Sequence, residues 1–250
     1  MIKAVLLDIS GVLYEGSELI PGAVEAVARL RKSGLTLRFV TNTSRKSRSR
    51  VLSDLQRMGF EVDKSELFTA PLAARRWLER ERRRPFFLVH PDVEEDLEGL
   101  DQVNPDAVLL GDAGDGFTYF NLNEAFRLLI EGAPLVAVGD NRYFMADGQL
   151  HLDAGPFVRA LEYAADTRAI IAGKPSADFY REVIDDASCK AGEALMVGDD
   201  VTADVEGALD AGLQACLVQT GKYRDGDEEG LAGRAKVQPS IVEVVEELLD

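Results

Sequence analysis

The chain has few of the residues that cross-link a protein or titrate near neutral pH. Its 250 residues include two cysteines, two histidines and one tryptophan. Cys189 and Cys216 cannot build a disulfide framework and have no Cys-x-x-Cys partner, so we interpret both as packing residues of a reduced, cytoplasmic protein. No apolar run reaches the roughly 18 residues that a membrane span needs. We therefore expect no membrane anchor, and the strand-like start of the chain predicts no signal peptide.

Basic residues are also scarce. The 28 Lys and Arg residues stand against 44 Asp and Glu, which gives a formal net charge of −16. Such a charge opposes binding to nucleic acids and to anionic membranes. An anionic substrate would therefore need local attraction, either from a metal ion or from buried lysine and backbone amides.

Strand-like and helix-like segments alternate at both ends of the chain. Before residue 70, the apolar pattern predicts strands at 3–8, 35–41 and 67–69, with helices at 22–33 and 46–59. Near the far end it predicts strands at 194–198 and 213–218, helices at 201–211 and 240–249, and a surface loop at 223–239. Strand–helix–strand units of this length indicate a parallel sheet with right-handed crossovers.

The middle of the chain has a strand and helix pattern of its own. Predicted strands lie at 86–90, 107–110 and 135–138, predicted helices at 72–83, 92–100 and 121–131, and Asp147-Gly148 indicates a hairpin turn. We therefore predict an α/β protein with a Rossmann-like parallel-sheet core. Residues 1–70 and 172–250 would form that core, and residues 71–171 would form an inserted α/β domain.

Four polar clusters follow apolar runs of this pattern. Asp8 ends the first run, Thr41-Asn42 ends the second strand, Lys174 follows residues 169–172, and Asp199-Asp200 with Asp204 follows the strand at 194–198. Because the carboxyl ends of parallel strands share one edge of a sheet, where ligands bind, these clusters should converge on one site.

Each residue type in these clusters has a use in phosphoryl transfer. The Asp8 carboxylate can attack phosphorus and form an aspartyl-phosphate. The Thr41 hydroxyl and nearby backbone amides can bind the non-bridging oxygens, and Lys174 can offset negative charge. Gly11 would let the backbone approach the phosphate closely.

The carboxylates also predict a magnesium site. Asp8 and Asp199 would bind Mg²⁺ through hard oxygen ligands, with water completing the coordination. Asp200 and Asp204 would either bind the same ion through water or orient Lys174. As single residues these aspartates would more often be turn or helix-cap residues, so the prediction depends on all four clusters occurring in order.

The same residues resemble the motifs of the haloacid dehalogenase superfamily of phosphotransferases. Residues 8–14 resemble its first motif, Val40-Thr41-Asn42 its second, Gly173-Lys174-Pro175 its third and residues 198–204 its fourth. The inserted domain resembles the C2-type cap of the subfamily that contains the NagD-like phosphatases. Residues 5–14, 22–30, 153–156, 160–163 and 219–222 resemble the branch of phospholysine phosphohistidine inorganic pyrophosphate phosphatase.

This resemblance implies a Mg²⁺-dependent phosphohydrolase acting on a small phosphorylated substrate, including phosphorylated Lys or His side chains, and a homodimer. It assigns Asp8 as the nucleophile, Asp199 as the metal carboxylate and the Ser10 backbone carbonyl as a further metal ligand. The resemblance further implies phosphate-site roles for five residues: Ile9 and Ser10 through their backbone amides, and Thr41, Asn42 and Lys174.

One position departs from the superfamily pattern. Most phosphatases of this kind have a second aspartate two residues after the nucleophile, as general acid and base, whereas this chain has Ser10. Serine cannot supply a proton near neutral pH, so we expect pyrophosphate or P–N compounds as substrates and alkyl esters to be poor ones. Three alternatives stay open: another residue, such as His90 or His151, replaces the acid; the substrates are sugar or nucleotide monophosphates; or the protein is a low-turnover phosphate-binding regulator.

Overall fold

The computed structural model describes residues 1–146 and 148–250, and it describes Met145 and Ala146 by their backbone alone. The described residues form fourteen β-strands: β1 (Ala4–Asp8), β2 (Tyr14–Glu15), β3 (Glu18–Leu19), β4 (Thr36–Thr41), β5 (Leu67–Thr69), β6 (Pro85–Leu88), β7 (Ala107–Leu110), β8 (Leu135–Ala137), β9 (Tyr143–Ala146), β10 (Gln149–Leu152), β11 (Ile170–Ile171), β12 (Ala194–Gly198), β13 (Gln214–Val218) and β14 (Lys236–Gln238). They also form eight α-helices: α1 (Ala23–Lys32), α2 (Arg48–Arg57), α3 (Ala70–Arg80), α4 (Tyr119–Ile130), α5 (Ala154–Ala165), α6 (Ala177–Asp186), α7 (Gly207–Asp210) and α8 (Ile241–Leu249).

The chain divides into two compact units. The first comprises Met1–Thr41, Val51–Phe68 and Lys174–Asp250, and the second comprises Asn42–Arg50 and Thr69–Gly173. The second unit therefore contains a short segment that follows β4, in addition to the middle of the chain. Both units are built from strands and helices, and the predicted α/β fold with a Rossmann-like parallel sheet is confirmed.

The first unit is built on a six-stranded sheet with the order β14-β13-β12-β1-β4-β5. Strand β1 pairs in parallel with β12 on one side and with β4 on the other. All five residues of β1 are buried, because helices cover both faces of such a sheet, and this explains its uninterrupted apolar run. The register sets Asp8 beside Val40 and Leu7 beside Val197, so Asp8, Thr41 and Asp199 lie at the same edge of the sheet.

The second unit has its own four-stranded sheet, in the order β11-β8-β7-β6, and its pairings are parallel. Its core combines buried residues of β7 and β8 with the inner faces of α4 and α5. The predicted hairpin is confirmed by the antiparallel pair β9 and β10. Asp147 of the predicted turn lies outside the described residues.

One prediction about an element was wrong, and two predicted helices differ in type from a regular α-helix. The predicted loop at 223–239 contains β14, which pairs in parallel with β13; a three-residue edge strand is too short to show periodicity. The predicted helix at 92–100 is a 3₁₀ helix, Pro91–Leu97. The predicted helix at 201–211 begins as a π-helix, Val201–Glu206, before α7.

Helices α5 and α6 were not predicted. Helix α5 begins after Asp153, whose Oδ1 accepts a hydrogen bond from the Ala154 amide at 2.7 Å. Helix α6 buries Phe179, Tyr180, Val183 and Ile184 at helical spacing. The periodic signal was therefore present in both segments.

Two expectations from composition concern thiols and membranes. Cys189 and Cys216 are free cysteines. Burial raises the pKa of the Cys216 thiol to about 12, which fits an unreactive packing residue. No helix in the described part of the chain is both long and apolar enough to span a membrane.

Candidate active site

Three buried aspartates gather at the carboxyl edge of the first unit's sheet. Asp8 is the last residue of β1, Asp199 follows β12, and Asp204 lies in the π-helix that comes next. Each offers one carboxylate oxygen, and these oxygens all lie within 4.8 Å of one another. Their exposed fractions are 8%, 2% and 0%. Buried carboxylates this close repel each other, so the cluster needs protons or cations to offset its charge.

Lys174 supplies one of these cations. Its Nζ lies 2.7 Å from Asp8 Oδ1 and 2.6 Å from Asp204 Oδ1, and its side chain is 4% exposed. Burial alone would lower the pKa of Lys174, but the charges of Asp204 and Asp8 outweigh burial and hold that pKa above its ordinary value. The ammonium therefore stays charged at every physiological pH.

Asp199 is only half satisfied by protein groups. Its Oδ2 accepts a hydrogen bond from the Lys222 amide at 2.7 Å, whereas its Oδ1 is buried and has no hydrogen-bond partner among the described residues. Burial, followed by the charge of Asp8, raises the pKa of Asp199 to about 7. An unpartnered buried oxygen beside a second carboxylate suits a hard divalent cation such as Mg²⁺. The donor set present therefore fits a magnesium ion.

Glycines bring the backbone close to Asp199. Gly11 and Gly221 both have positive φ, and a Cβ at either position would overlap Asp199 Oδ2. The sequence interpretation of Gly11, close approach to phosphate, missed this contact: the geometry shows that glycine is required there by Asp199. The Thr220 hydroxyl also donates to the Gly11 carbonyl, so the loops that follow β1 and β13 hold Asp199 between them.

Thr220, Gly221 and Lys222 are site residues that reasoning from strand ends did not find. Residues 219–222 entered the sequence analysis only through their resemblance to a family branch. A signal was nevertheless present, because this polar, glycine-containing segment directly follows the apolar strand β13. The rule that assigned Asp8, Thr41 and Asp199 to strand ends therefore applies to this segment as well.

Asp200 and Asp204 have different surroundings. Asp200 Oδ1 accepts from the amides of Thr202 at 3.1 Å and Ala203 at 2.9 Å, and its Oδ2 lies 3.0 Å from Lys222 Nζ. Burial raises the pKa of Asp200, but the Ala203 amide and Lys222 outweigh it, so the net shift is downward. Asp200 therefore caps the π-helix, whereas Asp204 contacts Lys174. Metal binding by Asp200 stays a prediction.

The remaining predicted phosphate-site residues occupy the ends of β1 and β4. Ile9 is buried in the core, and Ser10 is exposed and forms an isolated bridge with Tyr14. Thr41, the last residue of β4, is buried, and Asn42 is the first residue of the second unit. Phosphate binding by these four residues, and metal binding by the Ser10 carbonyl, stay predictions.

Both histidines proposed as alternative acids have local contacts within the second unit. His90 Nδ1 accepts from the Asp92 amide at 3.2 Å, at the start of a 3₁₀ helix. The ring of His151 stacks on Phe144 with 5.5 Å between centroids. These contacts are local, and a general-acid role for either histidine stays a prediction.

Comparisons with known proteins point to one hydrolase family. Residues 5–102 match a family model described as haloacid dehalogenase-like hydrolase, and residues 171–250 match one described as HAD-hydrolase-like. Haloacid dehalogenase-like hydrolase domain-containing protein 2 of Homo sapiens is 46% identical over 228 residues, which are 91% of this chain and 88% of that protein. Phospholysine phosphohistidine inorganic pyrophosphate phosphatase of Rattus norvegicus is 44% identical over 234 residues, 91% of this chain and 86% of that protein.

A solved structure extends the likeness to the whole chain. The p-nitrophenyl phosphatase from Archaeoglobus fulgidus superimposes with a TM-score of 0.91 at 27% identity, covering 98% of this chain and 99% of that one. The aspartate cluster therefore lies in a fold that this phosphatase shares.

Proposed function

Because the chain belongs to the haloacid dehalogenase-like hydrolases and is a phosphatase of small phosphorylated compounds, we propose that it works through an aspartyl-phosphate on Asp8. We further propose that Mg²⁺ is its cofactor and that pyrophosphate or phosphoramidates are its preferred substrates. One observation carries this proposal: Lys174 Nζ lies within 2.7 Å of both Asp8 and Asp204, beside an Asp199 oxygen that has no hydrogen-bond partner among the residues that the structure describes.

The proposed reaction has two displacements at phosphorus. In the first, an Asp8 carboxylate oxygen bonds to phosphorus as the bond to the leaving oxygen or nitrogen breaks. In the second, water attacks the phosphorus, the bond to Asp8 breaks, and inorganic phosphate leaves. Lys174 stays within hydrogen-bond reach of Asp8 and offsets negative charge in both steps. The Thr41 hydroxyl and the amides of Ile9 and Ser10 would bind the non-bridging oxygens.

The metal would be held by Asp8 and Asp199, with Asp204 completing the acidic cluster. When bound there, Mg²⁺ supplies charge neutralisation on the phosphoryl oxygens. The chain's own residues shape that site: the Lys222 amide donates to Oδ2 of Asp199, and no described residue donates to its Oδ1. A cation that binds this oxygen would relieve the cost of burying it unpaired.

Ser10 supports the proposed choice of substrate. Its hydroxyl cannot act as a general acid near neutral pH, which removes a contribution of roughly 10²- to 10⁴-fold for a poor leaving group. Attack on pyrophosphate breaks the bridging P–O bond and releases inorganic phosphate, whose charge a bound Mg²⁺ would offset, and a phosphoramidate nitrogen can be protonated by solvent, so neither substrate depends on that acid. The relative from Rattus norvegicus, at 44% identity, is named for phospholysine, phosphohistidine and inorganic pyrophosphate.

Phosphate monoesters are a second candidate substrate class. The similar structure from Archaeoglobus fulgidus is named as a p-nitrophenyl phosphatase, and aryl phosphates also have good leaving groups. The alternative function is therefore hydrolysis of small monoesters, including sugar or nucleotide monophosphates.

Phosphate release from a substrate panel separates these functions. The panel compares pyrophosphate, phospholysine, phosphohistidine, nucleotides and p-nitrophenyl phosphate with and without Mg²⁺, and Asp8→Asn serves as the blank. We expect Mg²⁺-dependent turnover with the highest kcat/KM for pyrophosphate or a phosphoramidate. Faster turnover of sugar or nucleotide monophosphates would favour the alternative, and activity retained by Asp8→Asn would remove the covalent mechanism.

We also propose the second unit as a cap of the C2 type and the active protein as a homodimer. The order of its strands and helices, with a four-stranded parallel sheet of its own, supports the first proposal. Light scattering on the purified protein tests the second, since a monomeric mass would contradict it.

A further inference from the structure

A tyrosine hydroxyl lies beneath the π-helix that carries Asp204. Tyr180, on α6, is fully buried, and its hydroxyl lies 2.7 Å from the Ala203 carbonyl oxygen and 3.1 Å from the Asp204 carbonyl oxygen. Burial, followed by the charges of Asp204 and Asp8, raises the pKa of this phenol well above its ordinary value. The hydroxyl therefore keeps its proton and acts as a donor to this pair of carbonyls.

The backbone of the π-helix departs from regular α-helical hydrogen bonding. The Asp200 carbonyl accepts from both the Asp204 amide at 2.9 Å and the Val205 amide at 3.3 Å, which widens the turn relative to an α-helix. Such turns recur at functional sites and disturb the regular backbone hydrogen bonds. A donor from outside the turn, here Tyr180, stabilises carbonyls within it.

Neighbouring glycines allow close packing around the same turn. A Cβ at Gly198 would overlap the side chain of Asp204, and a Cβ at Gly207 would overlap Pro175, the residue after Lys174. The turn is therefore held by packing at both ends and by the Tyr180 hydroxyl between them. A shift of its backbone would move Asp204 relative to Lys174.

The position of Asp204 affects the nucleophile through Lys174. Its Oδ1 lies 2.6 Å from Lys174 Nζ, and the same Nζ lies 2.7 Å from Asp8 Oδ1. One ammonium thus connects the backbone held by Tyr180 to the carboxylate that attacks phosphorus. Small misplacements of a reacting group reduce rate steeply.

We propose that Tyr180 is a positioning residue for phosphoryl transfer, acting through Asp204 and Lys174 on the orientation of Asp8. This inference rests on the proposed function, because it requires Asp8 to be the nucleophile. Tyr180 does not touch the reacting atoms, so its contribution should lie in kcat and not in substrate binding.

The test removes one oxygen atom. Tyr180→Phe deletes the hydroxyl and keeps the ring, and we expect kcat to fall by about tenfold while KM stays within about twofold. Phe179→Leu is the matched control, because Phe179 is a buried neighbour that packs edge-on against Tyr180 and Phe68 without a hydrogen bond. It should lower Tm and leave kcat unchanged at a temperature well below the melting transitions.

A second substitution restores the donor. Placing 4-aminophenylalanine at position 180 keeps an N–H at the ring tip, and we expect kcat to return to within about twofold of the wild type. A wild-type kcat in Tyr180→Phe, or an equal loss in Phe179→Leu, would overturn the proposal. If Tyr180→Phe does not fold, the amino variant decides, because a tenfold loss with the donor present would also overturn it.

The same assay separates this inference from the proposed function. If the wild type turns over substrate and Asp8→Asn does not, the covalent mechanism stands, whatever the result for Tyr180→Phe. If Asp8→Asn is active, the proposed function fails first, and the path from Tyr180 to a nucleophilic Asp8 fails with it.

Discussion

The two halves of the aspartate cluster are held in opposite ways. On one side, Asp8 and Asp204 share the buried ammonium of Lys174. On the other side, Asp199 is held by a backbone amide and by glycine packing, and in the described part of the chain its Oδ1 has no hydrogen-bond partner. The first half has its cation within the protein, whereas the second half takes a proton or a cation from solution. Neutralising a residue should therefore have opposite effects on stability in the two halves.

The largest effect is expected on the lysine side. Lys174→Met leaves two buried carboxylates without their partner, so we expect the free energy of unfolding to fall by about 3–5 kcal/mol and turnover to be lost. Urea unfolding and phosphate release measure both. The control is Lys222→Met, because Lys222 is 66% exposed where it pairs with Asp200 and should cost less than about 1 kcal/mol. Equal losses in the two variants would contradict the difference between buried and exposed cations.

The next effect concerns the packing around Asp199. Gly221→Ala places a methyl group against Asp199 Oδ2 at φ +64°, and we expect a loss of about 2–4 kcal/mol with loss of turnover. Gly226→Ala is the matched control, since Gly226 has φ +95° and no atom near its Cβ position, so it should cost only about 1 kcal/mol. Unfolding curves of both variants test this, and similar losses would show that φ alone matters.

A smaller effect of opposite sign is expected for Asp199 itself. Asp199→Asn removes a buried negative charge but keeps an oxygen for the Lys222 amide. We expect the metal-free protein to gain about 1–2 kcal/mol at pH 8, because burial disfavours the charged carboxylate. The rise in Tm on adding Mg²⁺ should disappear, as should turnover. A destabilised variant whose Tm still rises on adding Mg²⁺ would refute the proposed metal site.

The last expected effect is that of pH. Burial raises the folded-state pKa of Asp199 to about 7 and that of Asp204 to about 6. Between the ordinary pKa near 4 and these values, the folded state binds more protons than the unfolded state. The metal-free protein should therefore lose stability as pH rises from 5 to 8. Mg²⁺ should raise Tm more at pH 8 than at pH 5.5, because it competes with protons for Asp199. Thermal melts at both pH values test this, and a Mg²⁺ effect independent of pH would contradict it.

Much of the first unit could be predicted from residue order. The run before Asp8 is apolar because β1 is buried on both faces, and the polar residue that ends it must then lie at the sheet edge. The same reasoning applied to Thr41 and Asp199. It did not separate the roles of Asp200 and Asp204. These two carboxylates lie four residues apart on one turn, and from the sequence either could cap the helix or contact a lysine.

Residue order thus determined most of the strands, the nucleophile candidate and the acidic character of the site, since apolar periodicity and charge are local properties of a sequence. Tertiary packing determined which carboxylate pairs with Lys174, why Gly11 and Gly221 are glycines, and where the Tyr180 hydroxyl donates. Those contacts join residues distant in sequence, such as Gly11 with Asp199 and Thr220. Their distances are fixed only when the loops after β1 and β13 close on one another, and no local pattern encodes that closure.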